Sequence, residues 1–97
     1  MSRVRIPSLA PIFSAVANAV TVYVLRFEAG ELYVGLTSNL ERRLGEHQRR
    51  QSPSTRRLKG NFTVVHREVL PDYRTARSRE KFLKSGAGRA WLVSVTA

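Results

Sequence analysis

The chain contains no cysteine. That removes disulfide frameworks, thiolate nucleophiles, iron–sulfur ligation and thiolate zinc modules together. Histidine is almost as scarce, with His47 and His66 the whole supply, so a multi-histidine metal cage is excluded as well. Acids are few: seven Asp and Glu stand against seventeen Lys and Arg, for a formal net charge of +10 over 97 residues. No apolar run is long enough to cross a bilayer. There is no nucleophile elbow, no phosphate-binding loop and no paired-histidine spacing for zinc. What is present is 42% hydrophobic and 25% charged residues, too apolar a mixture for a disordered basic tail and the right length for one domain. The charge calls for a polyanion, nucleic acid first. A membrane partner is not expected, because the basic residues do not alternate with a broad apolar stripe.

Residues 1–20 differ from the rest. Arg3 and Arg5 precede an apolar, small-residue stretch holding Pro7 and Pro11. Ala15, Ala17 and Ala19 supply a signal-peptidase pattern, but Pro11 interrupts the apolar region, which disfavours a secretory signal. Val4-Arg5-Ile6 can also be encoded by a T-arm-like stretch of a transfer-RNA gene, so the leader reads equally as translated upstream sequence. On either reading it is expected to be poorly ordered or loosely docked, with the working domain at residues 21–95 in the cytoplasm.

Residues 21–27 (TVYVLRF) are β-branched and aromatic, a strand by composition. Glu28-Ala29-Gly30 makes a short hairpin loop, with Gly30 free to take a left-handed conformation. Residues 31–36 return as a second strand. Pairing Phe27 with Glu31 places Tyr23 opposite Gly35 and Leu25 opposite Tyr33, all four on one face. Val22, Val24, Leu32 and Val34 then fall on the other. Ser38 and Glu41 form a capping box, predicting a helix over about 39–50, on which Arg43 and His47 share a face. Residues 51–60 read as a basic loop and 62–70 as a third strand. Asp72 is a cap for a helix over about 73–85, with Gly86 expected to close it. A short last helix is expected over about 88–95. The fold class is α+β: a three-stranded antiparallel sheet flanked by helices, in ββαβα(α) order.

Few side chains here can move protons or bind metal. Two tyrosines sit ten residues apart on a hairpin, an Arg/His pair follows on the next helix, and Glu80 lies among basic residues. Each alone is ordinary: a strand tyrosine is usually half-buried packing, and a glutamate amid arginines is usually a weak exposed ion pair.

At these spacings the residues resemble the GIY-YIG endonuclease family. Its first motif corresponds to Val22-Tyr23-Val24 and its second to Tyr33-Val34-Gly35. The family's arginine falls on Arg43, and the tyrosine or histidine one helical turn later falls on His47. Glu80, within Arg79-Glu80-Lys81, matches the family's metal-binding glutamate. The stretch YVGLTSNLERRLGEH (residues 33–47) is the most specific part. The chain looks most like small stand-alone members related to the nuclease domain of the excision-repair incision subunit. Two positions depart from the pattern. Leu36 stands where some members carry a lysine, and Leu92 where many carry an asparagine.

The resemblance implies a metal-dependent DNA endonuclease with little intrinsic sequence preference, in repair or recombination. The alternative is a non-catalytic nucleic-acid-binding module on the same scaffold. It implies catalytic roles for Tyr23, Tyr33, Arg43, His47 and Glu80. Glu80 would hold Mg²⁺ or Mn²⁺, leaving the other coordination positions to water and phosphate oxygens. Arg43 would hold phosphate oxygens. Tyr23 would take the proton of the attacking water. Because a phenol with a pKa near ~10 is a poor base at neutral pH, it would need His47 to accept its own proton. Tyr33 would position phosphate or water, and Gly35 would let the backbone approach. Beside these residues, two basic groups are expected to track the DNA backbone. Arg42, Arg49, Arg50, Arg56, Arg57 and Lys59 form one, and Arg79, Lys84 and Arg89 belong to the other. No base-reading element is evident, so a dimer or a recruiting protein is the expected source of specificity. His66 reads as structural.

Overall fold

A computed structural model describes residues 18–51, 55, 58 and 60–96. The leader through residue 17 and Arg56, Arg57 and Lys59 lie outside the described residues. The elements are β1 (Val20–Phe27), β2 (Leu32–Thr37), α1 (Leu40–Gln48), β3 (Phe62–Leu70), α2 (Tyr73–Lys84) and α3 (Gly86–Thr96). The three strands form one antiparallel sheet in the order β2-β1-β3. The α+β architecture expected from the sequence is the one found.

The hairpin register is Tyr23 opposite Gly35 and Leu25 opposite Tyr33, as the loop length requires. Gly30 turns the chain at φ 97°, a conformation in which an L side chain is strained. The two-residue side-chain period then sorts the sheet into two cores. One face carries Val20, Val22, Val24 and Val34, packed with Ala76, Leu83 and Leu92 of α2 and α3. The other carries Tyr23, Leu25 and Phe27, against which Tyr33, Leu40, Leu44, Leu58, Phe62 and Val64 pack. Two thin cores on a sheet this small leave the central strand β1 buried on both sides. On β3 the register slips between Val24 and Leu25. Val24 lies opposite His66 and Leu25 opposite Val64, so Val65 is the extra residue; it packs against the first core, while Val64 and Phe62 pack against the second.

Two helix ends differ from expectation. Asn39, not Ser38, caps α1, its side chain accepting from the Arg42 amide at 3.0 Å. Thr37 Oγ1 in turn accepts from the Asn39 amide, so the chain enters the helix one residue later than a Ser38 capping box would set it. Gly86 does not close α2; it begins α3. Ser85 performs both tasks, its amide donating to the Phe82 carbonyl and its hydroxyl accepting from the Gly88 amide. The chain therefore turns directly from one helix into the next. A Cβ at Gly88 would overlap the Phe82 carbonyl oxygen, so this glycine is what lets α3 pack so closely on α2.

Candidate functional site

Four of the expected residues converge on the face of the sheet that packs against α1. Tyr23, on the central strand, is fully buried, and its hydroxyl lies 2.8 Å from His47 Nε2. Tyr33 comes from the neighbouring strand, with its ring 6.2 Å from that of Tyr23 and 5.3 Å from that of His47. Arg43 and His47 are one turn apart on α1, and the Arg43 charge acts on the Tyr23 phenol. Gly35 leaves space for this meeting: a Cβ there would sit 2.6 Å from the Tyr23 hydroxyl and 2.9 Å from the Tyr33 ring. The glycine thus serves side-chain convergence at the sheet edge.

Two members of the cluster were not legible as site residues. Glu46 pairs with Arg43 at 2.7 Å, one turn along α1, and fixes the guanidinium beside the tyrosines. Its only signal in the sequence is the i,i+3 spacing from Arg43. Thr55 is buried, with its hydroxyl 2.7 Å from His47 Nδ1. Nothing local in the polar loop singles it out.

The electrostatics set the protonation states. Burial pushes the Tyr23 phenol well above its ordinary value and the adjacent Tyr33 adds to this, while Arg43 pulls the other way. Free phenolate is therefore negligible at neutral pH. Burial lowers the proton affinity of His47, and the charge of Arg43 lowers it further against a smaller opposing effect of Glu46. His47 is thus neutral at pH 7 and has a nitrogen lone pair available. The hydrogen bond that Arg43 donates to Glu46 holds the guanidinium firmly charged, and it keeps the Glu46 carboxyl below its usual range.

Glu80 lies elsewhere. It shares the sheet-facing stripe of α2 with Ala76 and Leu83, and is itself buried. Arg77 and Lys84 donate to its two oxygens at 2.6 and 3.0 Å. Burial raises its carboxyl pKa, but the bonds from Lys84 and Arg77 outweigh that and leave it lowered. No hydrogen bond or ion pair described for Glu80 reaches the tyrosine cluster. The link between them is Lys84, which lines a groove of 470 Å³ together with Tyr33, Leu58 and Arg89. Among the described residues no group of three or more His, Asp or Glu could hold a metal ion. A single ionised carboxylate is the ligand type a hard divalent ion takes alongside water and phosphate oxygens, but both Glu80 oxygens are held here by Arg77 and Lys84, which a metal would have to displace. The two departures from the family pattern are filled by apolar packing: Leu92 is fully buried, and Leu36 packs against the first core.

The basic residues take different situations. Arg42 is exposed on α1, and so is Arg49, the residue that caps the end of that helix. Arg50, at φ 59°, donates to the Leu58 carbonyl at 2.6 Å. Lys84 and Arg89 edge the Tyr33 groove. Arg79 already has its charge matched, donating to both carboxylate oxygens of Glu68, and it lies over the rings of Phe82 and Trp91. His66 belongs to that same cluster, paired with Glu68 at 2.7 Å and edge-on to Trp91, a packing role. No helix among the described residues is long and apolar enough to cross a membrane.

Comparison with known proteins places this geometry in context. The model of the GIY-YIG catalytic domain family matches residues 19–90. The UPF0213 protein YhbQ of Escherichia coli strain K12 is 33% identical over 85 residues, covering 75% of this chain and 85% of that protein. A UPF0213 protein from the VLF1-GP41 intergenic region of Autographa californica nuclear polyhedrosis virus is 42% identical over 64 residues. The match takes in 65% of this chain and 62% of the viral protein's length. Among solved structures, the solution NMR structure of the UPF0213 protein BH0048 from Bacillus halodurans aligns with a TM-score of 0.51 at 28% identity. That alignment covers 78% of this chain and 83% of the other.

Proposed function

The chain belongs to the GIY-YIG catalytic domain family, a nuclease family, and from that premise we propose that it is a metal-dependent DNA endonuclease with little intrinsic sequence preference. The observation that carries the reading is the buried 2.8 Å contact between the Tyr23 hydroxyl and a neutral His47, beside Arg43. The raised phenol pKa rules out a standing phenolate, so the proton moves in one concerted relay. As water attacks phosphorus, the Tyr23 oxygen takes the water's proton and releases its own to His47 Nε2. The ring becomes imidazolium and later returns its proton to solvent. Arg43, anchored by Glu46, donates to the non-bridging phosphate oxygens as their charge grows. Tyr33 holds the phosphate or the water from the open side of the cluster.

Glu80 is the residue that would hold Mg²⁺ or Mn²⁺, after withdrawal of Lys84 and Arg77. A divalent ion bound there supplies charge neutralisation at the phosphate and support for the leaving oxygen. The DNA backbone runs along the Tyr33 groove, met by Lys84 and Arg89, and the further positive charge of Arg42, Arg49, Arg50, Arg56, Arg57 and Lys59 adds to its attraction for phosphate. The protein works in the cytoplasm, in repair or recombination, with a dimer or a recruiting protein choosing the site.

A second reading, a binding module without turnover, is favoured by the occupation of both Glu80 oxygens by cations and by the leucines at positions 36 and 92. A cleavage panel of duplex, branched and single-stranded DNA with Mg²⁺ and Mn²⁺ separates the two. The endonuclease reading expects metal-dependent nicking, abolished by Glu80→Ala with DNA binding retained. Binding without cleavage on every substrate would leave the module.

A further inference from the structure

We propose that Thr55 is a positioning residue of this site: it holds His47 in the tautomer protonated on Nδ1, leaving Nε2 open to the proton of Tyr23. The proposal rests on the reading of His47 as proton acceptor. Thr55 is only 3% exposed, although its loop is polar, and its hydroxyl lies 2.7 Å from His47 Nδ1. It is held there by a short turn, the Leu58 amide donating to the Thr55 carbonyl at 2.8 Å. Leu58 packs into the Tyr23 core, and its carbonyl accepts from Arg50 at the end of α1. The turn is therefore fastened both to the sheet and to the helix that carries His47. The imidazole is walled edge-on by Tyr23, Tyr33 and Phe62, at centroid distances of 5.7, 5.3 and 6.2 Å. Its orientation is fixed by packing, so its protonation pattern depends on the partners of its two nitrogens.

A neutral imidazole has one N–H and one lone pair. A threonine hydroxyl can partner either nitrogen state, and the reaction selects between them. If Thr55 donated to Nδ1, Nε2 would already carry the ring proton and could accept nothing from Tyr23. With Thr55 accepting from Nδ1–H, Nε2 receives the Tyr23 proton directly. In the relay, the water O–H bond breaks as a new O–H bond forms on the Tyr23 oxygen. The original Tyr23 O–H breaks as N–H forms on His47 Nε2. The resulting imidazolium has both N–H groups matched, one by the Tyr23 oxygen and one by Thr55 Oγ1. Both ring N–H groups are thus matched after the transfer, and Thr55 does not have to reorient during it.

Long-range proton–nitrogen NMR of the full chain, labelled at histidine, reads the tautomer directly, with His66→Gln assigning the second ring. The wild type is expected to show His47 protonated on Nδ1 only. Thr55→Val, which keeps the shape and removes the hydroxyl, is expected to mix the tautomers. It should also slow single-turnover cleavage about 10- to 100-fold, as loss of a histidine-orienting partner does elsewhere, with DNA affinity unchanged. Thr55→Ser should restore both. A wild-type ring protonated on Nε2 overturns the proposal without any variant, and so does an unchanged tautomer in folded Thr55→Val, whatever its rate. A wild type with the Nδ1–H tautomer but no cleavage would overturn the nuclease reading and leave the positioning of His47 standing. If Thr55→Val does not fold, the wild-type and Thr55→Ser spectra decide.

Discussion

Gly35→Ala is a one-methyl test of how this site is assembled. Gly35 is not among the glycines with positive φ and lies within β2, so alanine meets no backbone strain and the whole effect is steric. The added Cβ would stand 2.6 Å from the Tyr23 hydroxyl, 2.7 Å from its ring carbon and 2.9 Å from the Tyr33 ring. Ordinary contact would require the Tyr23 ring to retreat by about 1 Å. Tyr23 is fully buried and backed by His47, so the methyl acts as overpacking, at a cost of about 2 kcal/mol. For a domain of this size that is a Tm drop of roughly 8–16 °C. A displacement of ~1 Å at the reacting group also costs on the order of 10²-fold in rate. Single-turnover DNA cleavage and thermal melts measure the two effects, and DNA affinity should be unchanged. Tyr23→Phe removes the atom in closest conflict, so the double variant Gly35→Ala/Tyr23→Phe should lose less stability than the two single losses added together. A Gly35→Ala protein with wild-type Tm and rate would refute the reasoning.

Further outcomes follow from the same contacts. Glu46→Ala frees Arg43 from its anchor and should lower the cleavage rate by up to about 10²-fold with little change in Tm; an unchanged rate would show that Arg43 needs no orienting partner. Because the fold lowers the proton affinity of His47, the unfolded chain binds the extra proton more readily, and stability should fall as pH drops below ~6.5 toward the lower folded value. Thermal melts from pH 8 to 5 should show this fall, and His47→Gln should flatten it; Glu68 and Glu80, whose carboxyl pKa values are lowered by Arg79, Lys84 and Arg77, should add a second loss below ~4.5. Gly88→Ala drives a methyl into the backbone of α2 and should cost at least about 3 kcal/mol, read as a Tm lowered by more than about 10 °C.

Much of this molecule is written locally. A three-residue loop with Gly30 in the left-handed region fixes the hairpin register, and the two-residue period then decides which side of the sheet each residue faces. Tyr23, Tyr33, Arg43 and His47 could therefore be assembled on paper from a register and one helical turn. Neighbouring cap-formers were harder to tell apart. Ser38 and Asn39 are both good caps, and which is used depends on the dihedral angles set by Thr37 receiving the Asn39 amide. Gly86 carried the signature of a helix end, yet Ser85 closes one helix and opens the next, and Gly88 shows its purpose only once α3 lies against α2. Thr55 reaches His47 through a turn whose placement depends on Leu58 entering the core, a tertiary fact with no local pattern. Glu80 could be recognised by family resemblance, but its enclosure by Arg77 and Lys84 required the helix to be seen on the sheet.

In the proposed reaction the Tyr23–His47 relay beside Arg43 hydrolyses a phosphodiester bond. Its most direct test is single-turnover nicking of DNA by the purified chain in Mg²⁺ or Mn²⁺, wild type against Tyr23→Phe, with DNA affinity measured alongside. Loss of the relay should slow cleavage by at least about 10²-fold, while the dissociation constant stays within about twofold, since the removed hydroxyl is buried and adds no charge to the groove. Equal cleavage by wild type and Tyr23→Phe would contradict that role.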